Sequence, residues 1–305
     1  MSDAAPLQQS ALYAAALSRL DVPIQQLRGP DGPMLVLMRH MPLLGCVALI
    51  SRPQGRIDGD LRKTLGARLL LVNADSFEQG QHLAKIGFFR ISPPRTHAHL
   101  SLAGGPEDWL ARMRGKWRNR LRHGLRQGLE LRGGTMPADC NHWLFLCEAA
   151  QQKARSYRNL PPALIAAMAA ADPTALHLFT ARKDGKTCAA MLFARHENSA
   201  TYLIGWSDAA GRKTSAHPVL MWQAMADLHG SGVTEIDLGH CDQKRNPGLA
   251  HFKLGSGAAF RLLGGTWITA PGLELLRPRT LRVPIPLPPA TDAPAQVERR
   301  GFPAP

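Results

Sequence analysis

Residues 175–208 limit the fold more than any other stretch. Three β-rich runs, ALHLFTAR, TCAAMLFAR and ATYLIGWSD, are separated by KDGK (183–186) and HENS. Asp-Gly between apolar runs is a hairpin signal, because both central turn positions take a positive φ. The three runs therefore form an antiparallel meander. Downstream, Ser215 is placed to cap a helix over AHPVLMWQAMADLHG, which ends at Gly230. A strand, TEIDL (234–238), follows, and a further strand is expected near 259–268.

The first third is looser. PMLVLMRH (33–40), GCVALISR (45–52) and RLLLVNA (68–74) are short apolar runs bounded by Gly, Pro or Asn and read as strands. HLAKIGFFR (82–90) reads as a helix end, Gly87 and a strand start, and THAHLSL (96–102) alternates as a half-buried strand does. Helices are expected over NHWLFLCEAAQQKARSY and PPALIAAMAAA, the prolines suiting a first turn. From Pro271 onward lie nine of the chain's 24 prolines. Proline cannot join a helix or ladder interior, so an extended tail is expected, either as a loose end or as a docking segment.

At 305 residues with 45% hydrophobic content, the chain can bury a substantial core. Its net charge of +14 favours anionic partners. Half of that charge lies in 112–132, where eight basic residues face one acid, Glu130. Over 109–132, Leu110, Met113, Trp117, Leu121 and Leu125 recur at helical spacing, while Arg114, Arg118, Arg122 and Arg126 recur every four residues. One basic helix is expected. Like charges at that spacing cost helix stability, so an anion-binding face, with Lys116, Arg118 and Arg122 as phosphate ligands, competes with a plain solvated one.

The stretch 232–267 carries the chemistry. A strand ends at Gly239, a polar loop follows, and Lys253 sits in an aromatic and glycine-rich segment. Asp-Leu-Gly (237–239), Pro-Gly-Leu (247–249) and Phe-Lys-x-x-x-Gly (252–257) resemble the C-terminal signature of the FemAB-like branch of the GNAT acyltransferase superfamily. KWRNRLR (116–122) resembles the basic segment that closes the first domain of such proteins. The resemblance implies an α/β (α+β) fold of tandem GNAT-like domains, with mixed, mostly antiparallel sheets flanked by helices. The expected division is an N-terminal helical lead (1–29), a degenerate first domain ending in the basic helix (30–135), an acyltransferase domain (136–270) and the Pro-rich tail (271–305).

Acyl transfer to an amine needs a neutral amine, a held carbonyl and a donor for the developing oxyanion. The resemblance makes Lys253 a functional position; its ammonium suits the oxyanion, or else anchors a phosphate. Asp237 is expected to orient a neighbour, bind substrate or serve as a structural hydrogen-bonding group. His217, with His240 and His251, is a candidate base by residue type. Tyr202, Trp206, Gly239 and Phe252 are expected around substrate, Tyr202 and Trp206 matching the family's Tyr-x-x-Gly strand end. Arg212, Lys213 and Ser215 stand where GNAT enzymes hold a pyrophosphate, without the usual glycines. The expected donor is acyl-CoA, ahead of aminoacyl-tRNA, with no tightly bound cofactor. The acceptor is an amine-bearing small molecule or a cell-wall or lipid precursor. A non-catalytic scaffold docking on nucleic acid or an anionic membrane surface through the basic helix is the other reading.

Five cysteines form no Cys-x-x-Cys pair. No metal site is expected, and Cys241 reads as a small loop residue rather than a ligand or nucleophile. With no signal-peptide pattern and no apolar run near the ~18 residues of a membrane span, a cytoplasmic protein, at most peripheral on the membrane's inner face, is expected.

Overall fold

A computed structural model describes residues 5–29 and 32–273, so the Pro-rich tail lies outside the described residues. Chain order begins with α1 (Ala11–Arg19), β1 (Ile24–Gly29), β2 (Gly32–Met41), β3 (Gly45–Ser51), α2 (Leu61–Thr64) and β4 (Leu69–Ala74). Then come α3 (Phe77–Lys85), β5 (Phe89–Ser92), β6 (Arg95–Ser101), α4 (Pro106–Arg112), α5 (Gly115–Leu125) and β7 (Glu130–Thr135). Next are α6 (Trp143–Arg155), α7 (Pro162–Ala171), β8 (Leu176–Lys183), β9 (Lys186–His196) and β10 (Ser199–Ser207). The order closes with α8 (Ala209–Lys213), α9 (Ala216–Gly230), β11 (Glu235–His240), α10 (Pro247–Gly255), β12 (Ala259–Leu263) and β13 (Gly265–Thr269).

Two compact units divide at Gln26/Leu27, Pro94/Arg95 and Leu262/Leu263. This differs from the expected boundary at 135/136: the N-terminal helix, β6 and the basic segment all join the larger unit. That unit holds a seven-stranded sheet, β12-β6-β11-β10-β9-β8-β7. The smaller unit holds a six-stranded sheet, β1-β2-β3-β4-β13-β5, over a core of Val36, Ile50, Leu70, Val72 and Leu83.

The expected meander is present as β8–β9–β10, with Asp184 (φ 51°) and Gly185 (φ 73°) forming the left-handed pair of the first turn. Behind it, α9 is buried on several sides. Trp222 meets Trp109 edge-on at 5.8 Å, and Trp109 donates its indole N–H to the Leu102 carbonyl. Among the described residues no helix is long and apolar enough to cross a membrane.

Three expectations change. The single basic helix is two, because Met113 and Arg114 are extended (ψ 143° and 145°) and the Arg114 N–H donates to the Gly255 carbonyl instead of continuing the ladder. The apolar stripe survives the break, since Met113, Trp117 and Leu121 are buried in the same core, so its periodicity did not report it. The polar loop around Lys253 contains α10, capped by the Asn246 side chain with Pro247 in its first turn. The last expected strand is two: β12 in the seven-stranded sheet and β13 in the six-stranded one.

α5 packs on the start of α9 through Gly124. A Cβ there would lie 2.5 Å from Val219 Cγ2 and 2.9 Å from the Ser215 carbonyl. Gly→Ala inside a helix ordinarily gains up to about 1 kcal/mol. Here Gly124→Ala is expected to lose roughly 1–3 kcal/mol, because backbone must move to admit the methyl. Denaturant midpoints check this, and a gain would show that the two helices are not in fixed contact.

Candidate active site

β10 and β11 run parallel and pair only at Ser199↔Glu235, Ala200↔Ile236 and Thr201↔Asp237. Both continue, β10 to Ser207 and β11 to His240, without pairing further. Buried backbone groups that leave a ladder need other partners. Side chains supply them. On β10, the Leu203 carbonyl accepts from Asn159 Nδ2 (2.6 Å) and Gly205 from Gln151 Nε2 (3.0 Å). The Ser207 carbonyl accepts from Arg212 (2.7 Å), while His217 Nε2 donates to the Trp206 carbonyl (2.9 Å), whose residue is paired with Ala190 of β9. On β11, Gly239 turns at φ 75° and its N–H donates to Asp237 Oδ1 (2.7 Å), while the His240 carbonyl accepts from Lys253 Nζ (2.8 Å).

A buried carboxylate holds the β10 side. Glu148 on α6 is only 4% exposed and accepts from Tyr157 (2.8 Å), Gln151 (3.3 Å) and Asn159 (2.9 Å). Burial pushes the Tyr157 hydroxyl up to about 12, so it stays a donor. Tyr202 is raised chiefly by burial. Its partly buried ring packs against Phe193 at 5.3 Å. Trp206 meets Trp143 edge-on at 5.6 Å.

α10 carries two site residues. Lys253 is 4% exposed, and burial pushes its ammonium down to about 8, with Cys241 and Asp237 pulling back upward. One of its three N–H groups is used on the His240 carbonyl. Phe252 lies between His217 (5.9 Å) and Trp117 (6.1 Å). Since a carbonyl only accepts, His217 Nε2 carries the proton toward Trp206 and Nδ1 is left as a base. Burial first, then Arg155 and Arg212, lower its pKa and keep it neutral near pH 7.

The phosphate candidates on two segments come together. His123 at the end of α5 donates to the Lys213 carbonyl (3.4 Å), and Gly124 abuts Thr214 and Ser215. Arg212 and Lys213 are exposed there. Ser215 occupies the N-cap of α9 at φ 54°, but its side chain makes no capping bond. Arg118 is half-buried and donates to the Leu110 carbonyl (3.0 Å), closing α4, a structural duty the sequence did not show. Lys116 is exposed, about 9 Å along α5 from Arg122 by helical rise.

Asp237 and His217 do not pair. Asp237 instead faces His97 and His99 of β6, at 3.4 and 3.6 Å. Sequence reasoning missed these histidines, Glu148, Gln151 and Asn159. Glu148 left a trace: it stands one turn beyond Leu144 and Phe145 on the buried side of α6, where a lone acid needs partners.

Residues 111–254 match the family described as an acetyltransferase (GNAT) domain. The crystal structure of FemX superposes with a TM-score of 0.70 at 14% identity, covering 90% of this chain and 94% of that one. The C-terminal domain of a candidate lysylphosphatidylglycerol synthetase from Agrobacterium fabrum gives 0.55 at 17% identity, over 88% of this chain and 91% of that one. L-PGS from Bacillus licheniformis gives 0.51 at 13% identity, over 90% and 96%. No curated protein matches the sequence. The strands that part and the helix that follows them thus lie within the stretch that matches an acetyltransferase (GNAT) domain. Over the described residues the chain shares its fold with FemX, two mixed sheets flanked by helices.

Two expectations follow. Asn159→Ala strands the Leu203 carbonyl and should cost about 1–3 kcal/mol in denaturant melts; no loss would mean that water replaces the amide. Lys253 has a folded pKa below its unfolded value of 10.5. Between about 8 and 10.5 the unfolded chain therefore holds a proton that the folded chain has released, and stability rises with pH. Across that window wild type should gain roughly 3 kcal/mol relative to Lys253→Met. A constant difference would place the ammonium in water.

Proposed function

We propose that the chain is an N-acyltransferase that moves an acyl or aminoacyl group from a phosphate-bearing carrier to an amine in the opening between β10 and β11. The observation that carries this reading is the end of pairing at Thr201↔Asp237, with Lys253 and His217 each tied to the backbone of a freed strand. The amine lone pair attacks the donor carbonyl carbon. A C–N bond forms while the C–S bond of a thioester, or the C–O bond of an aminoacyl ester, breaks. The amine proton passes to His217 Nδ1 and on to the leaving sulfur or oxygen. The Lys253 ammonium meets the charge that develops on the carbonyl oxygen, where a donor is worth most in a dry site.

The carrier's phosphates suit Arg212 and Lys213 beside the start of α9. Pro218 removes one first-turn N–H from that helix, so side-chain cations take a larger share than in a glycine-rich phosphate loop. Acyl-CoA and aminoacyl-tRNA both present this chemistry. FemX and the lysylphosphatidylglycerol synthetase domain support the reading at the level of fold, and the second name speaks of a lysyl group and a lipid. An amine-bearing cell-wall or lipid precursor is the acceptor class proposed here. A second reading, a non-catalytic anion-binding scaffold, draws on Arg114, Lys116, Arg120 and Arg126, all exposed with no acid between 112 and 129.

Melting shifts across acetyl-, medium- and long-chain acyl-CoA and aminoacyl-tRNA test the donor. A ligand at 100 times its Kd adds about 2.7 kcal/mol. The active donor should raise the melting temperature, and Lys253→Met should keep that shift while turnover falls roughly 10²–10³-fold. Unchanged turnover would remove Lys253 from the reaction. Binding that falls steeply with salt, without turnover of any donor, would favour the scaffold.

A further inference from the structure

We propose that His97, His99 and Asp237 form a three-ligand site for a divalent transition-metal ion, with zinc(II) the ion that the donors and their spacing suit. His97 and His99 stand two apart on β6 and so share one face of the strand, while Ala98 and Leu100 enter the core from the other. Asp237 lies directly opposite His99 on antiparallel β11. The pairing shifts after Asp237, which brings His240 rather than residue 239 opposite His97. That irregularity draws Asp237 Oδ1 between the two imidazoles.

The spacing is that of a coordination shell. Asp237 Oδ1 lies 3.4 Å from His97 Nδ1 and 3.6 Å from His99 Nε2. The three ligand atoms all lie within 4.8 Å of one another. Bonds of about 2.1 Å in a tetrahedron place neighbouring ligand atoms about 3.4 Å apart. The two separations from Asp237 Oδ1 are close to that ligand-to-ligand spacing.

The outer contacts agree. His99 Nδ1 lies 2.8 Å from Glu235 Oε1, which fixes that nitrogen as the donor and turns the Nε2 lone pair toward Asp237. A carboxylate behind a ligating histidine is the usual second shell of zinc. The His99 side chain is 9% exposed, and Nε2 is buried without a hydrogen bond. An imidazole lone pair and a carboxylate oxygen repel unless a cation joins them. One proton can join two atoms but not the three that converge here. Glu235 and Asp237 together balance a doubly charged ion. With three protein ligands a fourth position stays open, as in reactive rather than purely structural zinc sites. Sequence reading expected no metal, because it had no means of placing 97 and 99 beside 237.

The test reads metal, not turnover, so its outcome is independent of the acyl-transfer reading. Chelator-treated full-length protein is titrated with Co²⁺ and followed by its visible absorption, then challenged with Zn²⁺. One Co²⁺ per chain is expected, with the intense bands of a tetrahedral site and displacement by Zn²⁺. His97→Gln and His99→Gln should each abolish those bands while circular dichroism stays native. Glu235→Gln should weaken Co²⁺ binding roughly 10–100-fold and carries the test if a histidine variant fails to fold. Absence of a saturable Co²⁺ spectrum overturns the proposal. So do bands that persist in the folded histidine variants, or a Glu235→Gln titration identical to wild type.

Discussion

Two parallel strands that stop pairing leave rows of backbone donors and acceptors with no ladder to satisfy them, and the larger unit is organised around that debt. Water would meet it at the cost of a wet site. Instead Asn159, Gln151, His217 and Arg212 serve β10, while Asp237 and Lys253 serve β11. Each hydrogen bond is worth about 1 kcal/mol net, but leaving its backbone partner bare would cost more. The opening is thus held apart by the side chains that give it chemical character. Binding and stability are not separable there.

Burial does the tuning. Lys253 reaches a backbone carbonyl from an apolar helix face, which holds its geometry and makes its proton easier to lose. His217 is kept neutral by the same exclusion of water, and its hydrogen bond to Trp206 decides which nitrogen stays basic. Glu148 keeps its place by satisfying three donors at once, two of which also grip β10. A carboxylate in that position is tolerated only as the centre of a network.

Local signals in the sequence carried far. The Asp-Gly turn and the start of α9 after Ser215 depend on residues a few positions apart, and the structure has them where expected, although the Ser215 side chain makes no capping bond and β11 runs one residue past Gly239. Lys253 was singled out by its motif and is buried at the freed end of β11. What escaped depends on distant partners. The break at Met113 exists because Arg114 bonds to Gly255, some 140 residues on, while the apolar spacing continues undisturbed. Thr-His-Ala-His reads as an ordinary half-buried strand until Asp237 is placed opposite His99. Arg118 counted as a phosphate ligand by charge alone, yet part of its guanidinium closes a helix end.

The passage from β12 to β13 has a consequence for biosynthesis. β13 fills the place between β4 and β5, with Thr266 opposite Asn73 and Ile268 opposite Phe89. The first sheet to emerge from the ribosome therefore has a central slot that waits for almost the whole remaining chain. Until then β4 and β5 present open edges, the surfaces on which nascent chains associate wrongly. Closure at so great a sequence separation is also slow. In sequence, most of the larger unit (95–262) falls between these two segments of the smaller one, so its own folding can precede that closure. A chain stopped after β12 would keep every residue discussed for acyl transfer and still leave its first sheet split in two.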